Sequence, residues 1–194
     1  MKKIIIIISA ILIFGFILAG AWEERNTKQV GNSGDVLGKA QALVGQTAPA
    51  FVLTDMRGAT VTNDTLKGKK VVLFFNEGLG CYPACWNEML ALAKDARFQA
   101  SDVIVMSVVL DSRDMWVKAI TNKSDLSLVN VMFDKGGTAS AAFGMLSMRS
   151  SMHPGAPGHS YVVLDRDGTV QKILDDPKMG NNTDVIAKII NTLS

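Results

Sequence analysis

The sequence predicts an α/β fold in which helices cover both faces of a mixed sheet. Strongly apolar segments of strand length, such as Val71–Phe75 and Asp102–Leu110, alternate with segments of helical periodicity. Near the end of the chain, two further strand-like segments flank the turn Asp165–Gly168, and an amphipathic helix follows this hairpin. This alternation, ending in an antiparallel hairpin, indicates one sheet with both parallel and antiparallel pairs.

Two short strands are expected to open the domain. Residues 48–55 predict the first strand, residues 56–59 a turn, and Thr60–Thr62 the returning strand of a hairpin. A connector, residues 63–68, leads to the central strand Val71–Phe75. Its uninterrupted apolar sequence is typical of a strand that is covered on both faces.

A glycine-bearing turn and a helix follow, and the beginning of this helix holds Cys81 and Cys85, the two cysteines of the chain. Pro83 suits the first helical position, where its missing N–H leaves nothing unpaired. Side chains four apart on a regular helix have Cβ atoms about 5–6 Å apart, whereas a disulfide needs roughly 3.8 Å. If the cysteines pair, either Cys81 lies before the helix or the first turn is distorted, and Gly80 and Pro83 favour the first arrangement.

The remaining elements continue the alternation of strands and helices. In the helix predicted at residues 112–121, Asp111 or Ser112 is the expected cap, and the inward-facing residues are expected to be Met115, Trp116 and Ile120. The later elements are a strand at 102–110, that helix, a strand at 130–133, a short helix at 138–143, a hairpin of 160–164 and 169–173, and a helix at 183–193. This order of elements is that of the thioredoxin fold.

Length and charge limit the classes of function. The chain has 194 residues, which fits one domain with extensions and a proper core, and its formal net charge is +2. No basic run rises above background, so the charge pattern does not predict nucleic acid as a partner.

The first 22 residues predict either a transmembrane anchor or a signal peptide. Two lysines precede a strongly apolar run without charged residues, residues 4–18, and the small residues Ala19 and Ala21 resemble a cleavage site. Residues 4–22 also approach the length of about 20 residues that a membrane helix needs. Under either interpretation, the remainder of the chain is expected to be exported across the membrane.

This segment divides the chain into three parts. Residues 1–22 are the predicted anchor or signal peptide, residues 23–42 a flexible tether, and residues 43–194 the folded domain. Because the lysines stay inside, the domain is expected on the extracytoplasmic side, membrane-anchored or secreted. A dithiol can persist there as a disulfide.

The cysteine pair is expected to be redox-active, although a static disulfide is the simpler alternative. A helix N-terminus carries partial positive charge and unpaired N–H groups, which favour a thiolate over a thiol. Cys81, upstream and more accessible, would attack, and Cys85 would resolve the mixed disulfide. The loop before the late hairpin is expected to face this turn, where His159 would assist proton transfer or stabilise a thiolate. The alternative is that His159 is a simple packing or capping residue.

Three segments carry a family resemblance. Residues 45–53 and 66–75 resemble the opening of the redoxin group, and residues 158–168 are similar to its late hairpin. That group includes peroxiredoxins of the alkyl hydroperoxide reductase/thiol-specific antioxidant type and membrane-tethered thioredoxin-like proteins. The resemblance covers residues 43–194 and implies a thioredoxin-like fold.

The resemblance also implies a thiol-dependent oxidoreductase, either a peroxiredoxin-like antioxidant or a disulfide-exchange protein. Its catalytic residues would be Cys81, Cys85 and His159, without a cofactor. Its partners would be a thiol reductant or a disulfide-bearing protein, or else peroxide as a substrate.

Departures from the family pattern leave the reaction open. Typical peroxiredoxins carry Thr or Ser three residues before the reactive cysteine, where this chain has Gly78. Thioredoxins have two residues between their cysteines, and here there are three. Thioredoxins also carry a cis-proline before the late strand, and His159 occupies the corresponding position in this chain. Peroxiredoxins also use an arginine near the reactive sulfur, and Arg149 is a candidate whose placement does not follow from the sequence.

Two carboxylates lie near the cysteines in the sequence, Glu77 and Glu88. Glu77 is a candidate to relay a proton from a thiol. It precedes a glycine-bearing turn, so a position facing water is the alternative.

A copper chaperone is the alternative function from another class. A Cys-x-x-x-Cys pair with a distant histidine on a thioredoxin fold resembles the Sco-type copper chaperones. Cys81, Cys85 and His159 would then be the ligands, since thiolates and imidazole suit copper. A second cluster of soft ligands lies in the loop before the late hairpin, although methionines more often fill gaps in a core. Its members are Met145, Met148, Met152 and His153.

Overall fold

In a computed structural model that describes residues 36–193, seven strands form one mixed sheet. Across the sheet their order is β2-β1-β5-β4-β3-β6-β7. β3 pairs in parallel with β4, and β4 with β5, whereas the other neighbours are antiparallel. The strands are β1 (Val52–Asp55), β2 (Thr60–Thr62), β3 (Lys70–Phe75), β4 (Val103–Val109), β5 (Val131–Phe133), β6 (Ser160–Leu164) and β7 (Val170–Asp175).

Helices cover both faces of this sheet, which confirms the predicted α/β, thioredoxin-like fold. The helices are α1 (residues 36–41), α2 (Ala84–Lys94), α3 (Arg113–Asn122), α4 (Thr138–Ala142) and α5 (Thr183–Thr192). Each predicted strand and helix from residue 48 onward is present, with bounds that differ by a few residues.

The central strand β3 is buried on both faces, as its apolar sequence predicts. Val71, Leu73 and Phe75 belong to one hydrophobic cluster, and Val72 and Phe74 belong to another. Because side chains alternate along a strand, these clusters lie on opposite faces of the sheet. The first cluster includes residues of α1 and α4, and the second includes residues of α2, α3 and α5.

One inward-facing residue of α3 was predicted wrongly. Trp116 is fully buried, but Met115 is 50% exposed. Ser112 caps the helix, and its hydroxyl oxygen accepts a hydrogen bond from the backbone N–H of Met115 at 3.3 Å. This register points Trp116 at the core, so the residue before it, about 100° away around the helix, faces outward.

The folded unit begins earlier than the sequence predicts. Residues 36–41 are helical although they were assigned to the tether, and Ala40 is fully buried. A Cβ atom at Gly144 would lie 3.4 Å from that of Ala40, so α1 packs directly beside the end of α4. The predicted anchor or signal peptide, and the tether up to residue 35, lie outside the described residues. Between residues 36 and 193, no helix has the length and apolar character needed to span a bilayer.

The antiparallel pairing of β3 with β6 determines where the functional side chains meet. Phe75, the last residue of β3, lies opposite Ser160, the first residue of β6. The chain therefore leaves β3 and enters β6 at the same end of the sheet. The segment with the cysteines follows β3, and His159 directly precedes β6, so the two are brought together.

Candidate active site

Polar contacts fold the chain back directly after β3. The buried Asn76 side chain donates from Nδ2 to the carbonyl oxygen of Phe74 at 3.0 Å, and its Oδ1 accepts from the backbone N–H of Gly78 at 2.8 Å. A 3₁₀ turn, Gly78–Gly80, follows. An asparagine that satisfies backbone groups in this way stabilises a tight change of direction. We name residues 76–85 the cysteine turn.

Asp111 holds the cysteine turn from the end of the neighbouring strand β4. Its Oδ2 accepts from the backbone N–H of Leu79 at 2.9 Å and from Nε1 of the buried Trp116 at 3.0 Å. Gly78 has a φ of 57°, and a Cβ atom there would clash with the Asp111 carboxylate. Only glycine permits this approach without strain.

Cys81 and Cys85 form a disulfide with a Cα–Cα distance of 5.3 Å. Cys81 lies before the helix, as the Cβ spacing predicts, whereas α2 begins at Ala84 and carries Cys85 in its first turn. Pro83 directly precedes the helix instead of occupying its first position. Cys81 is 2% exposed and Cys85 1%, so the greater accessibility expected of Cys81 is not found in this disulfide form.

His159 lies against the disulfide, at the end of the sheet where the cysteine turn begins. Its Nδ1 is 3.7 Å from Sγ of Cys85. The ring is 1% exposed and contacts Phe74 edge-on, with ring centroids 4.7 Å apart. The expectation that the loop before the late hairpin faces the cysteines is confirmed by this contact.

The hydrogen bonds of His159 determine its tautomer. Nε2 lies 3.1 Å from the carbonyl oxygen of Gly180, which can only accept, so Nε2 carries a proton. In the neutral ring, Nδ1 then presents its lone pair to Cys85. Burial lowers the pKa of His159 below its ordinary value of 6.5, although the charge of Asp176 opposes this. The ring is therefore neutral near pH 7 and able to accept a thiol proton.

A buried chain of polar groups continues from His159 to Glu88. The Tyr161 hydroxyl donates to Oε1 of Glu88 at 2.9 Å, and its oxygen lies 3.0 Å from Nε2 of His159. Because the Tyr161 O–H donates its hydrogen bond to Glu88, the lone pairs of the Tyr161 oxygen are free to accept a hydrogen bond from Nε2. Burial raises the pKa of Glu88, although the hydrogen bonds from Tyr161 and from the backbone N–H of Asn182 oppose it. Three contacts thus connect a cysteine sulfur to a buried carboxylate.

The sequence assigned no role to Glu88 or Tyr161, yet both belong to the site. Glu88 lies three residues after Cys85, on the same face of α2, and Tyr161 of β6 lies two residues after His159, on the same side of the extended chain. These two spacings were the sequence features that could have identified Glu88 and Tyr161 as members of the site. A single sequence does not show which glutamate near a cysteine is buried, and here Glu88 is 1% exposed.

Glu77 and Arg149 were the other charged candidates, and the structure gives Glu77 partners in the loop before β6. The side chain of Glu77 is only 6% exposed. Its carboxylate accepts from the backbone N–H groups of Met152 and His153 and contacts Nδ1 of His153. Arg149 is exposed on the protein surface.

The alternative metal ligands are not assembled as a metal site. Cys81 and Cys85 are bonded to each other, and residues 36–193 contain no group of three or more His, Cys, Asp or Glu side chains that could hold a metal ion. The second cluster is divided between two environments. Met145 and Met148 are buried in the core, Met152 is 48% exposed, and His153 contacts Glu77.

A family model described as the AhpC/TSA family matches residues 44–173. This is more than half of the chain, and the protein therefore belongs to the AhpC/TSA family. The predicted redoxin with a thioredoxin-like fold is confirmed. The disulfide-bonded Cys-x-x-x-Cys pair agrees with the predicted class, a thiol-dependent oxidoreductase.

Curated relatives represent both of the predicted reactions. The chain is 30% identical over 128 residues to the thiol-disulfide oxidoreductase ResA of Bacillus thuringiensis subsp. konkukian, and the match covers 66% of each chain. It is 28% identical over 143 residues to the chloroplastic peroxiredoxin Q of Sedum lineare, with 71% of each chain covered. The chain thus spans 66% of the length of the ResA relative.

Solved structures support the fold. The chain matches the crystal structure of Enterococcus faecalis AhpC with a TM-score of 0.67 at 17% sequence identity, covering 77% of this chain and 90% of the other. At this identity the likeness concerns the fold.

Replacing Gly78 tests its close approach to Asp111. Gly78→Ala combines a positive φ with a clash, whereas the control Gly58→Ala has a positive φ, 85°, and open space around the added Cβ. The control should lose about 1 kcal/mol of unfolding free energy, and Gly78→Ala about 1–3 kcal/mol more. Urea denaturation of the oxidised proteins measures both. Equal losses would contradict the role given to this contact.

The lowered pKa of His159 predicts a pH dependence of stability. Below pH 6.5 the unfolded chain binds a proton at His159 more readily than the folded protein, so this contribution is complete above 6.5 and is lost as the pH falls through the lowered folded pKa. His159→Gln does not titrate and should remove this component. Urea denaturation of both oxidised proteins between about pH 5 and pH 8 checks it. A difference in unfolding free energy that stays constant across this range would contradict the prediction.

Proposed function

We propose that the protein catalyses thiol–disulfide exchange through the Cys81–Cys85 pair. The observation that carries this proposal is the contact of 3.7 Å between Cys85 Sγ and the neutral Nδ1 of His159, beside a disulfide of 5.3 Å Cα–Cα distance. One cysteine lies outside the helix and the other inside it, next to a base. This asymmetry suits a pair in which one sulfur bonds the substrate and the other releases it.

The reaction begins from the dithiol form. The Cys81 thiolate attacks a substrate disulfide, forms a mixed disulfide and expels one substrate thiolate. Cys85 gives its proton to Nδ1 of His159, and the new thiolate attacks the sulfur of Cys81, which expels the second substrate thiolate. The substrate gains two electrons, the pair becomes the disulfide, and a thiol reductant must restore the dithiol.

Tyr161 and Glu88 act through His159 as positioning residues. When Nδ1 takes the thiol proton, the ring becomes a cation whose Nε2–H points at the Gly180 carbonyl and the Tyr161 oxygen. The Glu88 carboxyl group, which accepts a hydrogen bond from Tyr161, ends this series of polar groups. Oxygen acceptors oriented in this way stabilise a buried cation, because electrostatic interactions are stronger at a given distance in a medium of low dielectric constant.

Disulfide exchange is favoured over peroxide reduction by the surroundings of Gly78. Peroxiredoxins carry a Thr or Ser hydroxyl at the corresponding position, three residues before the reactive cysteine. The Asp111 carboxylate occupies the space that a side chain would need there. Peroxide reduction is the second candidate, since the chain is also similar to a peroxiredoxin Q.

Copper binding is a candidate from a different class. Cys85 and His159 already place a sulfur and an unprotonated imidazole nitrogen next to each other, and reduction would free Cys81 as a further ligand. Under this proposal the dithiol protein binds one Cu(I), and both Cys81→Ser and His159→Ala lose it.

Single-cysteine variants test the exchange reaction. Cys85→Ser should accumulate a mixed disulfide between Cys81 and a substrate protein, because the resolving thiol is missing. Cys81→Ser and the double Ser variant should accumulate none, and all three should lose turnover with a dithiol reductant. Intact mass spectrometry after acid quenching measures the adducts.

Two outcomes would redirect the assignment. Equal trapping by Cys85→Ser and Cys81→Ser would contradict the order of attack. Absence of exchange in the wild type, together with stoichiometric Cu(I) binding, would favour the copper chaperone.

We also propose that residues 1–22 place the domain on the extracytoplasmic side of a membrane, where a disulfide can persist. The support is the apolar run at residues 4–18 behind two lysines. Intact cells or spheroplasts treated with a membrane-impermeant maleimide after mild reduction should show labelled cysteines. Labelling only after cell lysis would contradict this location.

A further inference from the structure

A self-contained loop precedes His159. We name residues 147–158 the His153 loop. Its ends meet where Leu146 and Pro157 form an isolated β-bridge. The backbone N–H of Ser147 also donates to the carbonyl oxygen of Ala156 at 3.2 Å. A loop closed at its neck in this way behaves as a compact unit.

Glu77 joins this loop to the cysteine turn. Its carboxylate accepts from the backbone N–H of His153 at 3.1 Å, accepts from the backbone N–H of Met152, and contacts Nδ1 of His153. Glu77 is 6% exposed, although the ring of its partner His153 is 69% exposed. Glu77 and Gly80 from the turn, with His153 from the loop, line one groove of about 500 Å³.

The loop is also joined closely to the segment that bears His159. A Cβ atom at Gly158 would clash with Ser150, so the loop lies directly against the chain that enters β6. The hydroxyl of Ser150 donates to Asp175, and that of Ser160 donates to the same carboxylate oxygen at 3.0 Å. The loop therefore contacts the cysteine turn on one side and the neighbours of His159 on the other.

We propose that Glu77 is a positioning residue that fixes the cysteine turn relative to the His153 loop and so holds the two thiols of the reduced protein ready to form the disulfide. This role rests on the proposed function, since it concerns the same cysteine pair. Glu77 precedes the 3₁₀ turn that leads to Cys81, whereas Cys85 is held by α2. A contact at Glu77 therefore restrains one sulfur relative to the other.

The expected effect is on the equilibrium between dithiol and disulfide. Two thiols held close together form a disulfide more readily than two that move independently, because less conformational entropy is lost. Releasing the turn should lower the equilibrium constant for disulfide formation. The reference reaction is balanced: the protein dithiol and oxidised glutathione give the protein disulfide and two reduced glutathione molecules.

Glu77→Ala tests this role. The variant loses all three contacts, and the equilibrium constant should fall about tenfold, which makes the reduction potential about 30 mV less negative. Amide hydrogen exchange of residues 151–156, followed by mass spectrometry, should become about tenfold faster in the reduced protein. Neither measurement depends on the physiological substrate, so failure of the proposed function and failure of this role are distinguishable.

Two further variants serve as controls. Glu77→Gln keeps an oxygen for the backbone N–H groups and an amide N–H for Nδ1 of His153, so its potential should stay near that of the wild type. Asp125→Ala removes an exposed carboxylate, 2.8 Å from Lys94, and should change neither measurement. A wild-type potential in Glu77→Ala would overturn the proposal, even with faster loop exchange, because Glu77 would then stabilise the loop alone. If Glu77→Ala does not fold, His153→Ala, which removes one contact, must shift the potential in the same direction.

Discussion

The antiparallel pairing of β3 with β6 is the constraint on which the site depends. This register places Phe75 opposite Ser160. The segment with the cysteines therefore leaves the sheet at the same end at which the segment with His159 enters it. Residues that are 74 positions apart in the sequence, Cys85 and His159, come within 3.7 Å as a consequence. A register shift of one residue would reverse the faces of β6 and remove this contact.

Burial gives this contact its chemical character. The imidazole, the Tyr161 hydroxyl and the Glu88 carboxylate are each 1% exposed or less, and each has a hydrogen-bond partner. An unpaired buried polar group costs about 1–3 kcal/mol, so removing any one of these three side chains is expected to destabilise its neighbours in the network. The same burial lowers the pKa of His159 and raises that of Glu88. His159 is thereby kept neutral beside the sulfur of Cys85, and Tyr161 connects its ring to the carboxyl group of Glu88.

The sequence was sufficient for the strands and helices and for the position of Cys81 before its helix, because periodicity, turn residues and Cβ spacing are local properties. The position of His159 beside the cysteines was predictable only through the predicted fold. The roles of Glu77 and Glu88 could not be predicted in this way, because they depend on residues that are distant in the sequence. Both are glutamates near the cysteines, but Glu88 faces Tyr161 and Glu77 faces the His153 loop, and these neighbours come from distant parts of the chain. Met115 was predicted to face inward because its apolar side chain fits a helical pattern, and its neighbour Trp116 fills that space instead.

The proposed function requires that the cysteine pair exchanges with disulfides in preference to reducing peroxide. Stopped-flow oxidation of the reduced protein by a disulfide substrate and by hydrogen peroxide, at equal concentrations, compares the two reactions. We expect a larger second-order rate constant for the disulfide, and loss of both reactions in Cys81→Ser. A rate constant for peroxide that exceeds the one for the disulfide by about tenfold or more, a difference of about 1.4 kcal/mol in barrier height, would contradict it and identify a peroxidase.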